Sequence, residues 1–231
     1  HHTIVIDTCC GNDRERPKFP IAHRLDTPYL DNLRAAGVDP DKVDFVCCTH
    51  LHVDHVGWNT RLENGRWVPT FRNARYLFSK ADYDHWDAMN RADPAKPANY
   101  GAFDDGVLPV VSAGLATFVD GARHELEDDV AIEPAPGHTP GSVMLAARSE
   151  GAEALFIGDA MHHPLQIVLP DWSSRFCVDR AQAARTRRAI LERCVENRSL
   201  LAPAHFKAPH ACRVHRDGAA YRPEFVEMSE A

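Results

Sequence analysis

Six consecutive residues, His50-Leu51-His52-Val53-Asp54-His55, constrain most strongly what this 231-residue chain can fold into. Three imidazoles and a carboxylate so close together are costly to bury unpaired, and they are the usual protein ligands of zinc and its neighbouring divalent metals. They follow directly on the apolar run Val43-Asp44-Phe45-Val46-Cys47-Cys48, which reads as a strand, so the cluster hangs from a strand's C-terminal end. His50 and His52 flank a turn and can converge on one ion. Asp54 and His55 sit on the next turn of backbone and point towards a second. Six residues cannot complete either coordination shell, so further ligands must come from elsewhere in the chain.

The rest of the chain reads as short strands separated by helices. Residues 3–7 alternate as a strand ending at Asp7-Thr8, and Gly11 opens a loop rich in Arg, Asp and Pro. Thr27-Pro28 predicts a helix start, with Thr27 as N-cap, an apolar stripe of Tyr29, Leu30 and Leu33, and Gly37 as its stop. Asn64-Gly65 predicts a two-residue hairpin turn between residues 60–62 and 66–68. A strand over 74–78 leads to Ser79, expected to cap a helix over 80–90 with Asp82 as its box partner. Residues 91–109 hold three prolines and two glycines and read as a long loop, a candidate lid or pocket wall.

In the second half, apolar strands again run into polar residues. The strand at 130–133 leads to Pro136-Gly137-His138-Thr139-Pro140-Gly141, the one at 154–157 stops at Gly158-Asp159, and the run 200–204 delivers His205. Asp179 is expected to cap a helix reaching Glu196 with Ile190, Leu191, Cys194 and Val195 inward. A hairpin around Asp217-Gly218 closes the chain. This alternation predicts one α/β domain over residues 1–231, with two layered sheets and helices outside.

Composition excludes some partners. A net charge of −7 with no basic block argues against a nucleic-acid backbone, and no apolar run approaches the roughly 20 residues of a membrane span. Seven cysteines without C-x-x-C spacing give neither a zinc knuckle nor an even disulfide framework. A reducing, cytoplasmic location is therefore expected. Within Cys9-Cys10 and Cys47-Cys48, strand alternation predicts one buried and one half-exposed thiol each. Fourteen histidines are a surplus that points to metal or proton chemistry.

His138, Asp159 and His205 each stand at a strand's C-terminal end, where open α/β architectures place their sites. With His50, His52, Asp54 and His55 they make seven ligands, the number for two metal ions sharing one carboxylate. One ion takes His50, His52 and His138, the other Asp54, His55 and His205, with Asp159 bridging.

The run Thr49-His50-Leu51-His52-Val53-Asp54-His55, the turn around His138, Gly158-Asp159 and the late His205 together resemble the metallo-β-lactamase fold superfamily over residues 3–206. The resemblance implies a four-layer αβ/βα sandwich with a dinuclear site. Zinc is the expected metal, with manganese, iron or cobalt as alternatives. Members carry two or three further strands before the one resembling residues 3–7, and these are expected to be missing here.

Residue types at the metal positions sort the branches. β-Lactamases with two zincs carry Cys or Ser where Asp159 stands, flavodiiron proteins place Glu at the position of His52, and glyoxalase II adds a helical C-terminal domain. What remains is the branch of quorum-quenching lactonases, methyl parathion hydrolase-type enzymes and related esterases. Lactonases of this group commonly place Tyr three residues after the bridging Asp. Here His162 stands there, and His162 followed by Gln166 looks more like the methyl parathion hydrolase type.

The expected chemistry is hydrolysis of a lactone or carboxylic ester by a metal-bridging hydroxide, since coordination lowers the pKa of water from about 15.7 towards 7. The alternative is phosphotriester hydrolysis. β-Lactamase activity and an iron-dependent oxidoreductase rank lower. Asp54 is the candidate for orienting the hydroxide and shuttling its proton. His162 is the candidate for substrate contact or leaving-group protonation, weighed against holding a ligating carboxylate. The partner is a small-molecule ester or lactone, and dimers are common among relatives. Trp58, Trp67, Tyr83, Trp86, Phe103 and Trp172 are candidate pocket linings, each weighed against a plain packing role.

Overall fold

Each apolar run read above as a strand is one in the computed structural model, which describes residues 2–93 and 95–227. His1, residues 228–231 and Pro94, in the expected 91–109 loop, lie outside the described residues. The chain divides into two compact units, His1–Val119 and Asp120–Ala231.

The first unit contains β1 (Ile4–Ile6), α1 (Tyr29–Ala35), β2 (Phe45–Cys47), β3 (Thr60–Glu63), β4 (Arg66–Pro69), β5 (Arg75–Ser79), α2 (Lys80–Ala92), α3 (Leu108–Ser112) and β6 (Ala116–Val119). Four strands form a sheet in the order β1-β2-β5-β6, parallel throughout. Parallel neighbours need crossover connections, and the segment between β2 and β5 is the one that carries the histidine cluster. The β3-β4 pair is a separate hairpin whose turn has Asn64 at φ 50° and Gly65 at φ 76°, as Asn-Gly predicts. The core gathers Val46, Phe71, Tyr76, Phe78, Phe103 and Val107, all fully buried.

The second unit contains β7 (His124–Glu127), β8 (Val130–Pro134), β9 (Val143–Ser149), β10 (Ala152–Phe156), α4 (Leu165–Val168), α5 (Arg180–Asn197), β11 (Leu200–Ala202), β12 (Ala211–Asp217) and β13 (Ala220–Val226). Its sheet runs β13-β12-β11-β10-β9-β8-β7, with β10 and β11 the parallel pair. Leu155, Ile157, Met161, Ile167, Leu191 and Leu201 form its core. Asp179 caps α5 as expected, accepting from the Gln182 amide at 2.8 Å. Among the described residues no helix is long and apolar enough to cross a membrane.

Four expectations fail, each for a local reason. Thr27 does not cap α1, whose N-cap is Pro28. Its amide and hydroxyl are taken instead by Asn12 Oδ1, both at 2.9 Å. Asp82 is no capping partner, because its carboxylate turns inward to the histidine loop. The expected 91–109 loop is largely helical from residue 98 on: a 3-10 turn covers Ala98–Gly101 and a π-helical turn over Phe103–Val107 leads straight into α3, with Phe103, Val107 and Val110 fully buried. Neither cysteine pair follows the expected alternation: Cys47 and Cys48 are both buried, since a parallel strand between two neighbours is covered on both faces, while Cys9 is exposed and Cys10 half-buried because β1 ends at Ile6, before them. Strands β6 and β7 carry no alternation strong enough to read; β7 is His-Glu-Leu-Glu and pairs through a register shift.

Candidate metal centre

In the first unit the end of β1 and the histidine loop are zipped together by backbone. Thr8 N donates to His55 O at 2.8 Å, Gly57 N to Cys9 O at 2.7 Å, and Trp58 N to Thr8 O at 2.8 Å. The approach needs a glycine, because a Cβ on Gly57 would lie 1.9 Å from the Cys10 carbonyl carbon. This contact brings Asp7 beneath the cluster. Asp7 accepts from Thr49 N and Thr49 Oγ1, both at 2.7 Å, and from His55 Nδ1 at 2.8 Å.

These bonds fix two tautomers. Thr49 has one hydroxyl proton and gives it to Asp7, so its oxygen accepts from His50 Nδ1 at 3.1 Å. His50 and His55 are thus both protonated on Nδ1 and present the lone pair of Nε2. His50 Nε2 lies 3.0 Å from His52 Nδ1, so the two imidazoles converge on one point. His55 Nε2 faces Asp54 Oδ1 at 3.8 Å. His50 thus faces His52 and His55 faces Asp54, with the His50 and His55 rings 4.0 Å apart between centroids.

The loop is held from behind as well. Asp82 Oδ2 accepts from Leu51 N at 2.9 Å and from Trp86 Nε1 at 3.2 Å, and Trp86 packs edge-on against His52 with centroids 5.2 Å apart. Asn99, at φ 52°, donates to Leu51 O at 2.5 Å and accepts from Val53 N at 3.1 Å. Trp86, Trp58 and Phe103 are buried and serve as packing. Tyr83 lies against Phe103 and Phe118, and Trp67 lies under the Arg14 guanidinium at 3.7 Å. Of the six aromatics weighed as linings, Trp172 is the well-exposed one, at 62%.

Two cysteines, Cys9 and Cys10, lie beside the histidine loop at the backbone contact of Gly57 N with Cys9 O. Burial pushes the Cys10 thiol up to about 11, with Asp54 adding to the effect, and desolvation also raises Cys9. Neither is a ready thiolate ligand or nucleophile.

In the second unit three strand ends converge. The turn carrying His138 is seated on the start of α5: Val178 N donates to His138 O at 2.9 Å and Asp179 N to Gly137 O at 3.0 Å. Gly137, at φ 128°, leaves no room for a Cβ, which would lie 2.2 Å from Ala183 N. Asp159 follows β10 in a single 3-10 turn, Gly158–Ala160. Ala204 N donates to Gly158 O at 3.2 Å, which ties the His205 segment to that turn. Arg187 of α5, fully buried, steadies the turn by donating to Ala160 O at 3.0 Å and to Pro170 O.

Around the buried Asp159 carboxylate stand three imidazoles. His138 Nε2 and His162 Nε2 are each 3.2 Å from Oδ2, and His205 Nε2 is 3.1 Å from Oδ1. The two oxygens thus face different histidines, as a bridging carboxylate requires. Behind His138, Nδ1 meets Cys177 Sγ at 3.6 Å.

The donor sets fit divalent metal. Each unit offers neutral imidazole nitrogens and a carboxylate at converging angles, with the far ring nitrogens of His50 and His55 engaged by oxygen partners as metal-bound histidines require. Asp7, Asp82, Asn99 and Gln166 support the site in roles that the sequence did not assign to them. Asp7 left a signal as a carboxylate closing a strand, and Gln166 one as the glutamine four residues after His162. The others are recognisable only once distant segments meet.

Such a fold, with His/Asp metal-binding sets at strand ends, defines a metal-dependent hydrolase architecture. The sequence profile of the metallo-beta-lactamase superfamily matches residues 1–205, and the chain belongs to that superfamily. Its mixed α/β fold is the metallo-β-lactamase one. Among solved structures it is similar to the hydrolase AbOPH of the beta lactamase superfamily, at 25% identity and TM-score 0.77, covering 98% of this chain and 76% of that one. It is also similar to AidC, a dizinc quorum-quenching lactonase, at 20% identity and TM-score 0.75 over 98% of this chain and 75% of that one. A probable metal-dependent hydrolase from Staphylococcus aureus has 18% identity and TM-score 0.79, with coverages of 99% and 79%. No functionally curated protein matches the chain.

Proposed function

We propose that residues 1–231 act as one dinuclear metallohydrolase domain that opens a lactone or carboxylic ester. In this reading His50, His52 and His138 hold one ion, Asp54, His55 and His205 hold the other, and Asp159 bridges them. The observation that carries it is the Asp159 carboxylate, which offers its two oxygens to different histidines. AidC supports it as a dizinc lactonase of the same fold. The ion pair, zinc first among candidates, supplies water activation and Lewis-acid polarisation of the scissile carbonyl.

The chain's own residues do the remaining work. Asp7 and Thr49 hold His55 and His50 in the tautomer that leaves Nε2 open. Asp54, with its carboxylate about one-third exposed, orients the nucleophilic water and accepts its proton. His162, one-fifth exposed and 3.2 Å from Asp159, reaches the substrate side and gives a proton to the leaving oxygen.

A phosphotriester substrate is the second reading, favoured by a histidine rather than a tyrosine three residues after Asp159. Metal analysis of the purified protein followed by turnover of a panel of lactones, nitrophenyl esters and phosphotriesters decides between them. Two zinc ions per chain and lactone or ester turnover abolished in Asp159→Ala are expected. Unchanged turnover in that variant with two ions still bound refutes the site, and a redox-active iron centre refutes the hydrolase.

A further inference from the structure

His162 is aimed by its backbone. Its ring Nδ1 makes no hydrogen bond among the described residues, and Nε2 has only the 3.2 Å approach to Asp159. The ring lies flat on His205 (centroids 5.6 Å, interplanar angle 6°) and tilted against His138 at 4.9 Å. Stacking alone lets an imidazole slide, so the position of the 162–163 backbone decides where Nε2 points.

That backbone is held by Gln166. This side chain, buried in α4, accepts from His162 N at 2.7 Å and from His163 N at 3.2 Å through one oxygen. Through its nitrogen it donates to Trp172 O at 2.7 Å. Two converging N–H groups need an acceptor and a carbonyl needs a donor, and a primary amide supplies both at once. A carboxylate serves the amides alone, and an apolar side chain serves neither. Through these three part-buried hydrogen bonds Gln166 clamps the turn that bears His162 to the segment at Trp172. Arg187 links the same two segments, Ala160 and Pro170, from below.

We propose that Gln166 is the positioning residue for His162, fixing the imidazole at Asp159 so that it meets the leaving group. The inference rests on the role given to His162 above. Metal-free protein gives the first readout, amide hydrogen exchange at His162 and His163. Gln166→Leu should lose protection at both, while Gln166→Glu, which keeps the acceptor oxygen, should retain it.

In the zinc-loaded enzyme Gln166→Leu should lower kcat about 10- to 100-fold with KM and zinc content little changed, since misplacement of about 1 Å costs up to that much. Gln166→Glu, which keeps the acceptor but not the donor to Trp172 O, should lose less than Gln166→Leu. In a His162→Ala background the Leu substitution should change kcat less than about threefold, because the group it positions is gone. An equal fold-loss in both backgrounds, equal losses for Glu and Leu, or full activity without amide protection would each overturn the proposal. A fully active His162→Ala single variant instead removes the role of His162 and this inference with it, while leaving the Asp159 test to judge the hydrolase.

Discussion

Replacing Asp7 by Asn changes almost no volume but reverses a proton. The carboxylate accepts three hydrogen bonds at 2.7, 2.7 and 2.8 Å. An amide oxygen can keep the one from Thr49 N, and the amide N–H2 can satisfy Thr49 Oγ1 instead of accepting from it. Towards His55 that N–H2 is a donor facing a donor. His55 must then accept at Nδ1 and carry its proton on Nε2, the nitrogen meant for metal. Binding metal requires undoing that bond, and the metal-bound form no longer has the charge-assisted bond to the Asp7 carboxylate, a kind that contributes about 1.5–3 kcal/mol. The expected loss of zinc affinity is therefore about 10- to 100-fold, the range found when partners behind a ligating histidine are removed. Competition between metal-free protein and a chromophoric chelator measures it, with a thermal melt to show that the variant is folded. A folded Asp7→Asn protein that binds zinc within about twofold of the parent refutes the tautomer argument.

Further tests address the frame around the site. Burial alone raises the Glu153 carboxyl, but hydrogen bonds from Arg193 and Ser199 outweigh it and bring it down to about 2. Its folded value lies below the unfolded one, so its stabilisation is present above about pH 4.5 and fades as pH falls towards 2. The gap corresponds to about 3 kcal/mol, and the partial exposure of Arg193 trims this towards about 2 kcal/mol. Urea unfolding should find Glu153→Gln less stable than the parent at pH 7 and nearly level with it near pH 2; an equal deficit at both would count against the ion pair. Asp105 faces Arg14 at 2.8 Å and Arg16 at 2.6 Å, so Asp105→Asn leaves two buried guanidiniums uncompensated and should cost about 3–5 kcal/mol. A loss below about 1 kcal/mol in chemical denaturation would contradict this. Gly57→Ala should abolish soluble expression or strip metal binding, because its Cβ meets backbone at 1.9 Å; a soluble variant with two ions bound would show that the Cys10–Gly57 approach is loose.

The seven proposed metal ligands were legible because a metal demands particular atoms at short spacing, and those atoms stand out in any sequence. His50 to His55 announces itself locally, and His138, Asp159 and His205 follow because a strand that stops at a ligand leaves apolar residues behind it as a marker. Turn chemistry was equally local, as Asn64-Gly65 and the Asp179 cap show. The roles of Asp82, Asn99 and Gln166 were not legible, since a polar side chain declares no partner until tertiary folding brings a backbone amide to it. Asp82 looked like a helix cap by spacing and instead spends its carboxylate on Leu51 and Trp86.

The sequence by itself determined the metal chemistry and the family, because ligand type and strand-end placement are short-range properties written along the chain. Only the tertiary structure decided which nitrogens of His50 and His55 hold a proton and which stay open, that residues 103–112 are buried helix instead of loop, and that the His162 backbone is held through Gln166. Each of these depends on hydrogen-bond or packing partners tens of residues away or hidden in backbone atoms, and residue identity carries no record of such partners.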